Sequence, residues 1–260
     1  MKHILVPIGT SENSLNTLQY AIDFASEIEA KVFVFRAYKV VSKAGTIINI
    51  NDIVARETNL YLKALVNQAN TKNVDLKIVS AKGSATDSIL DIHNELNIDL
   101  IVLGPKSNSL KEEVFLGSTS GSIVKQTNIP VLVVPEGYKF SPFKTALTAF
   151  KSGKMHVQSS VNILEKIHDS FKTKINLLLV KTPNFKKEDS ILDSKIASLK
   201  NSFTETENMT IFQGVLEHFQ SNNPDLLCVF RRKRGFFQKL WESNTILKKD
   251  FYCSIPMLIL

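Results

Sequence analysis

Asp99-Leu100-Ile101-Val102-Leu103 returns later in the chain as Asp225-Leu226-Leu227-Cys228-Val229, and Asn128-Ile129-Pro130-Val131-Leu132-Val133 returns as Ser254-Ile255-Pro256-Met257-Leu258-Ile259. Both echoes lie 126 residues apart, so the chain reads as two copies of one unit. Nearer the front, Ala30-Lys31-Val32-Phe33-Val34-Phe35 aligns with Thr173-Lys174-Ile175-Asn176-Leu177-Leu178 at a spacing of 143, which leaves the second copy about 17 residues shorter between these points. The loss is expected in the segment matching 39–73 and in the turn after Gly83. A chain of 260 residues has room for two cores of ordinary size, roughly 100–150 residues each. The division is expected at 137/138, within a linker at 136–143 that holds Gly137 and Pro142.

Within the first copy, apolar runs predict strands at 4–8, 31–38, 76–81, 100–103 and 131–134. Helix-length segments at 12–28, 52–70, 85–96 and 119–126 stand between them. In the first of these, Tyr20, Phe24 and Ile28, with Leu18 and Ala25 alongside, recur at three- and four-residue spacing and form one apolar face. Nearly continuous apolar strands alternating with such helices imply a parallel sheet covered on both sides, joined by right-handed crossovers. The fold class is therefore α/β, as two tandem doubly wound parallel-sheet domains.

Composition sets outer limits. Hydrophobic residues at 43% and charged residues at 22% exclude a disordered or fibrous chain. No run approaches the ~18 apolar residues of a membrane span, and the start of the chain carries no apolar leader, so a cytoplasmic protein with no membrane partner is expected. Cys228 and Cys253 sit singly in apolar runs and read as small buried hydrophobes; the five histidines are scattered, and no metal site is expected. Residues 1–137 carry 13 Lys and Arg against 14 Asp and Glu, whereas 138–260 carry 19 against 11, so the whole excess of positive charge lies in the second copy. Scattered lysines on solvated helix faces account for that excess more simply than a nucleic-acid surface does.

In doubly wound sheets, ligands sit beyond the carboxyl ends of the strands. Those positions hold Gly9-Thr10-Ser11, Ala37-Tyr38, Gly83-Ser84 and Gly104-Pro105-Lys106-Ser107, and Gly117-Ser118-Thr119 opens the last helix of the first copy. Glycine at a strand end removes a Cβ from the path of a ribose or phosphate, and a helix start offers free N–H groups and a positive dipole end. Standing alone, Gly104 reads better as a turn residue and Ser118 as a helix cap. Their spacing makes them one motif.

That motif, Gly104-x2-Ser107-x9-Gly117-Ser118 followed by Ile129-Pro130-Val131-Leu132-Val133-Val134, resembles the signature of the universal stress protein family. Ile4-Leu5-Val6-Pro7 with Ser11-Glu12-Asn13-Ser14, and Gly83-Ser84-Ala85, resemble the family's first strand and third turn, so the likeness covers 1–135. It implies the adenine nucleotide alpha hydrolase-like fold, with nucleotide-binding positions at Pro7, Ile8, Gly9, Ala37, Gly104, Ser107, Gly117, Ser118 and Thr119. In family members that bind ATP, the first motif glycine approaches the ribose, and the later glycines and hydroxyl hold the phosphates. Ser107 stands where the family has its second glycine, and Gly9 where it usually has an aspartate that contacts adenosine. Each charge-assisted bond lost with that carboxylate weakens binding by roughly ten- to hundredfold, so weak binding of ATP or AMP is the expectation. Further members pair domains through the last strand, which implies that 131–134 and 257–260 pair the two copies as a pseudo-dimer and leaves a further homodimer open.

In the second copy the motif positions fall on Phe230, Lys233, Ser243 and Asn244, so 138–260 reads as a degenerate domain without nucleotide. Arg231-Arg232-Lys233-Arg234-Gly235-Phe236-Phe237 reads as a solvated loop, and nucleic acid is disfavoured as a partner. No P-loop lysine motif, nucleophile elbow or paired-carboxylate constellation follows any strand, so no catalytic residue and no enzyme are expected. A stress-response nucleotide-binding or regulatory protein is the leading reading. Beside it stand an interaction scaffold without ligand and a slow ATP hydrolase built on Ser107, Ser118 and Thr119. The sequence names no protein partner.

Overall fold

The computed structural model describes residues 1–39, 50–105, 114–154, 158–231, 246–247 and 253–260. The first half runs β1 (His3–Pro7), α1 (Ser14–Ile28), β2 (Lys31–Tyr38), α2 (Ile50–Gln68), β3 (Leu76–Lys82), α3 (Ala85–Leu96), β4 (Leu100–Leu103), β5 (Val114–Leu116), α4 (Ser118–Gln126) and β6 (Val131–Val133). The second half runs β7 (Thr145–Phe150), α5 (Gln158–Phe171), β8 (Lys174–Lys181), a 3-10 turn (Lys187–Ser190), α6 (Ser194–Ser198), β9 (Lys200–Glu207), α7 (Ile211–Asn222), β10 (Leu226–Val229), β11 (Ile246–Leu247) and β12 (Met257–Ile259). They pack as two compact units, Met1–Phe140 with Arg234–Lys248, and Ser141–Lys233 with Lys249–Leu260.

In the first unit the strand order is β3-β2-β1-β4-β6, all parallel, with Leu5 of β1 opposite Phe33 of β2 on one side and Ile101 of β4 on the other. In the second it is β9-β8-β7-β10-β12, again all parallel, with Leu147 of β7 opposite Asn176 and Leu227. The repeat seen in the sequence is thus a repeat of topology. The apolar face of α1 is buried through Leu18, Tyr20, Phe24, Ala25 and Ile28, where it lies on β1 and β2. A β-branched and aromatic run such as Val32-Phe33-Val34-Phe35 suits an inner strand covered on both sides, and all four side chains are buried.

The stretch 136–143 is more than a linker. Gly137 takes a φ of +70°, which lets the chain turn there without a Cβ penalty. Phe140 then meets the rings of Tyr20 and Phe24 edge-on at 5.4 and 5.6 Å, while Phe143 is buried in the second unit against Phe171 at 5.8 Å.

The shortening of the second copy falls in one place. Residues 39–75, with the 19-residue α2, join β2 to β3, but only 182–199, with the five-residue α6, join β8 to β9. The following turn is not shortened, contrary to expectation: 208–210 stand between β9 and α7, against 83–84 between β3 and α3. Without a long covering helix, β9 is exposed along nearly its whole length. The short connection instead folds over the end of β7, where Gly153 N donates to Asp189 O at 2.8 Å and Asp193 N to Gly153 O at 2.9 Å.

Gly153 is held so closely that a Cβ there would meet Ile191 O at 2.5 Å and Leu192 Cα at 3.0 Å, both backbone atoms with little freedom to yield. Gly153→Ala is expected to destabilise the protein by about 1–3 kcal/mol, read as a lowered midpoint in urea unfolding. Cys228 and Cys253 are both buried, and burial pushes their thiols up to about 12 and about 11. Since the thiolate is the reactive form, neither should react with a disulfide reagent at pH 8 in native protein, and both should react once the chain is unfolded.

Candidate functional site

Parallel pairing places the carboxyl ends of β1 and β4 side by side, and a cavity of about 400 Å³ opens above them. Three segments wall it: Pro7 and Gly9–Ser11 after β1, Leu103–Pro105 after β4, and Gly117–Ser120 at the start of α4. The first turn of α1 closes one side with Asn13, Ser14 and Thr17.

Six of the nine residues expected from the sequence line this cavity: Pro7, Gly9, Gly104, Gly117, Ser118 and Thr119. Ile8 and Ala37 do not. The Ile8 side chain is buried and its N–H donates to Phe35 O at 2.7 Å, while Ala37 sits in the sheet opposite Ala81. Ser107 lies outside the described residues.

Gly117 caps α4 in extended conformation with no side-chain hydrogen bond, and the first backbone bond of the helix runs from Gly121 N to Gly117 O at 2.8 Å. The N–H groups of Ser118, Thr119 and Ser120 therefore lie in the first turn, where an α-helix leaves its donors unpaired. All three residues line the cavity. Every described lining side chain is uncharged, so positive potential comes from backbone donors and the helix dipole, a setting suited to an anion.

Gly104 carries a second duty that sequence reasoning missed. A Cβ there would lie 2.5 Å from Thr17 Oγ1 and 3.0 Å from Asn13 Nδ2, so glycine lets α1 approach the end of β4 whether or not a ligand is present. Thr17 Oγ1 is tied to Asn13 O at 3.1 Å and cannot swing away freely. The Asn13 side chain is 5% exposed, and its amide nitrogen has no hydrogen-bond partner among the described residues, which leaves a donor beside Gly104 for an acceptor in the cavity.

The antiparallel pairing of β5 with β11, Leu116 opposite Ile246, was also absent from the sequence reading. It belongs to the first unit and supports the segment that leads into Gly117.

At the corresponding strand ends of the second unit two aromatic rings meet. Phe230, at the first motif position, stands edge-on to Phe150 at 6.2 Å, and the Phe150 side chain is buried. Lys233, Ser243 and Asn244 lie outside the described residues, as do Arg232, Arg234, Phe236, Phe237 and Trp241. Arg231 departs from the solvated loop expected there: burial pushes its guanidinium down to about 10, and its backbone N–H donates to Leu260 O at 2.7 Å. Among the described residues no group of three His, Cys, Asp or Glu could hold a metal ion, and no helix is long and apolar enough to cross a membrane.

The sequence profile of the universal stress protein family matches residues 1–135, just over half of the chain. The chain belongs to the universal stress protein family. A universal stress protein of Methanocaldococcus jannaschii is 27% identical over 143 residues, covering 53% of this chain and 84% of that protein. The stress response protein NhaX of Bacillus subtilis is 24% identical over 160 residues, covering 50% and 96%. The crystal structure of a universal stress protein from Archaeoglobus fulgidus matches 99% of this chain and 97% of its own with a TM-score of 0.73 at 16% identity, a likeness of fold across both halves of this universal stress protein.

The double role of Gly104 has a measurable consequence. Gly104→Ala is expected to destabilise the ligand-free protein by about 1–3 kcal/mol. Thr17→Ala in the same chain should recover part of that loss, a coupling that urea unfolding of the single and double variants will show.

Proposed function

We propose that the first unit binds an adenine nucleotide in the cavity above β1 and β4, and that the protein acts in stress response by binding and regulation, with the second unit carrying no nucleotide. One observation supports this most directly. The cavity gathers Gly9, Gly104 and the open first turn of α4 around a single space, with the Asn13 amide as a further donor. In the family's mode of binding, the phosphates rest on Gly117, Ser118 and Thr119, and the ribose passes Gly104. The phosphate end keeps Gly117 and Ser118 of the family motif but has Ser107 in place of its second glycine, and the adenosine end has Gly9 in place of the aspartate.

Binding without turnover is the reading that the lining favours. Among the described residues no carboxylate, histidine or lysine faces the cavity, so nothing there can deprotonate an attacking water or shuttle its proton. The second unit reads as structural because Phe150 and Phe230 occupy its strand ends, and 189–193 fold over Gly153.

Isothermal titration with ATP and AMP tests the proposal. Micromolar to submillimolar affinity is expected, and Gly117→Asp, which sets a carboxylate at the positive end of α4, should weaken it at least tenfold. No heat of binding at millimolar nucleotide would reject the proposal and favour an interaction scaffold, and phosphate release from ATP above background would reject the claim that it does not turn over.

A further inference from the structure

Arg36, near the end of β2, and Tyr61, on α2, converge on the carbonyl of Gly9. The guanidinium carbon lies 4.2 Å from the centre of the Tyr61 ring, a cation–π pair that fixes its place. Arg36 Nη1 donates to Gly9 O at 3.3 Å, and Tyr61 Oη donates to the same oxygen at 3.4 Å. Both bonds are longer than the usual ~2.9 Å, and they share one neutral acceptor. Among the described residues no carboxylate forms an ion pair with Arg36, and none accepts from its remaining N–H groups. Gly9 itself lines the cavity, so the guanidinium bonded to its carbonyl oxygen stands next to a residue of the cavity wall.

We propose that this cavity selects an adenine nucleotide phosphorylated on its ribose, at the 2′ or 3′ oxygen, and that Arg36, positioned by Tyr61, receives that phosphate. The inference rests on the reading of the cavity as a nucleotide site and names the class of nucleotide. An aspartate at position 9 would accept hydrogen bonds from the free ribose hydroxyls and repel a phosphate. Gly9 does neither, and it leaves open space, since a Cβ there would meet only Ser11 N, at 4.0 Å. A guanidinium offers a planar fork of donors that matches phosphate oxygens, and it exchanges one stretched bond at a neutral carbonyl for bonds to an anion. Dinucleotide-binding sheets of the same doubly wound kind show this exchange, with an acid for the free 2′-hydroxyl and an arginine for the 2′-phosphate.

The test compares AMP with adenosine 2′,5′-bisphosphate and adenosine 3′,5′-bisphosphate by titration calorimetry on the full chain. One of the two bisphosphates should bind at least tenfold tighter than AMP, and which one it is identifies the oxygen. Arg36→Gln should bring that ligand's affinity down to the level of AMP, and Gly9→Asp should weaken it at least tenfold. Equal affinity for AMP and both bisphosphates, or a preference that persists in Arg36→Gln, overturns the inference; AMP binding that is lost in Gly117→Asp would then leave the nucleotide site standing. No binding of any of the three ligands overturns both. Should Arg36→Gln fail to fold, as read by circular dichroism, the ratio in the unmodified protein and the Gly9→Asp variant decide the question.

Discussion

The position of β1, paired in parallel with β2 on one side and β4 on the other, governs the rest of the first unit. From β1 the chain crosses by α1 toward β2, and from β4 it crosses the other way by α4 toward β6. Connections that diverge in this manner leave a crevice above the two strand ends between them, where no backbone fills the space. The crevice therefore comes from strand order. The two units differ at these strand ends. In the first unit Gly9 and Gly104 leave the crevice open, whereas in the second Phe150 and Phe230 meet there and the shortened β8–β9 connection hydrogen-bonds over Gly153.

Gly104 shows how one residue can serve packing and line a cavity together. Its missing Cβ admits Thr17 and Asn13 from α1, and the same close approach brings the unpartnered Asn13 amide to the cavity wall. A helix drawn in by core burial of Leu18, Tyr20, Phe24 and Ile28 thus delivers a polar group to the site from its first turn. The energy of that placement comes from apolar area removed from water on the far side of the helix, so the donor needs no stabilising partner of its own. The strand pair β5–β11 acts comparably on the opposite wall, holding the segment that ends at Gly117.

Much of the molecule was legible as local pattern. All five sheet strands of the first unit and its four helices follow the apolar runs and spacings of their own residues, with ends displaced by a few positions: the first helix begins at Ser14 rather than 12, and α2 spans Ile50–Gln68 rather than 52–70. Six of the positions singled out in the sequence line one cavity, because they stand at strand ends and a helix start, where the backbone determines their place. β5 and β11 were not. Strands of three and two residues have no period of their own, and their pairing joins positions 116 and 246, far apart in the chain.

The amino-acid sequence alone determined the tandem repeat, the parallel α/β class and the motif of Gly104, Gly117 and Ser118, since these follow from hydrophobic periodicity and from glycines placed at strand and helix ends. The folded chain decided what those glycines touch. Arg36 and Tyr61 are 25 residues apart and belong to no motif, yet α2 lies against β2 and sets ring and guanidinium 4.2 Å apart at Gly9 O. Close approach of this kind depends on how helices sit on the sheet, a property of packed surfaces that no periodicity along a single strand or helix carries.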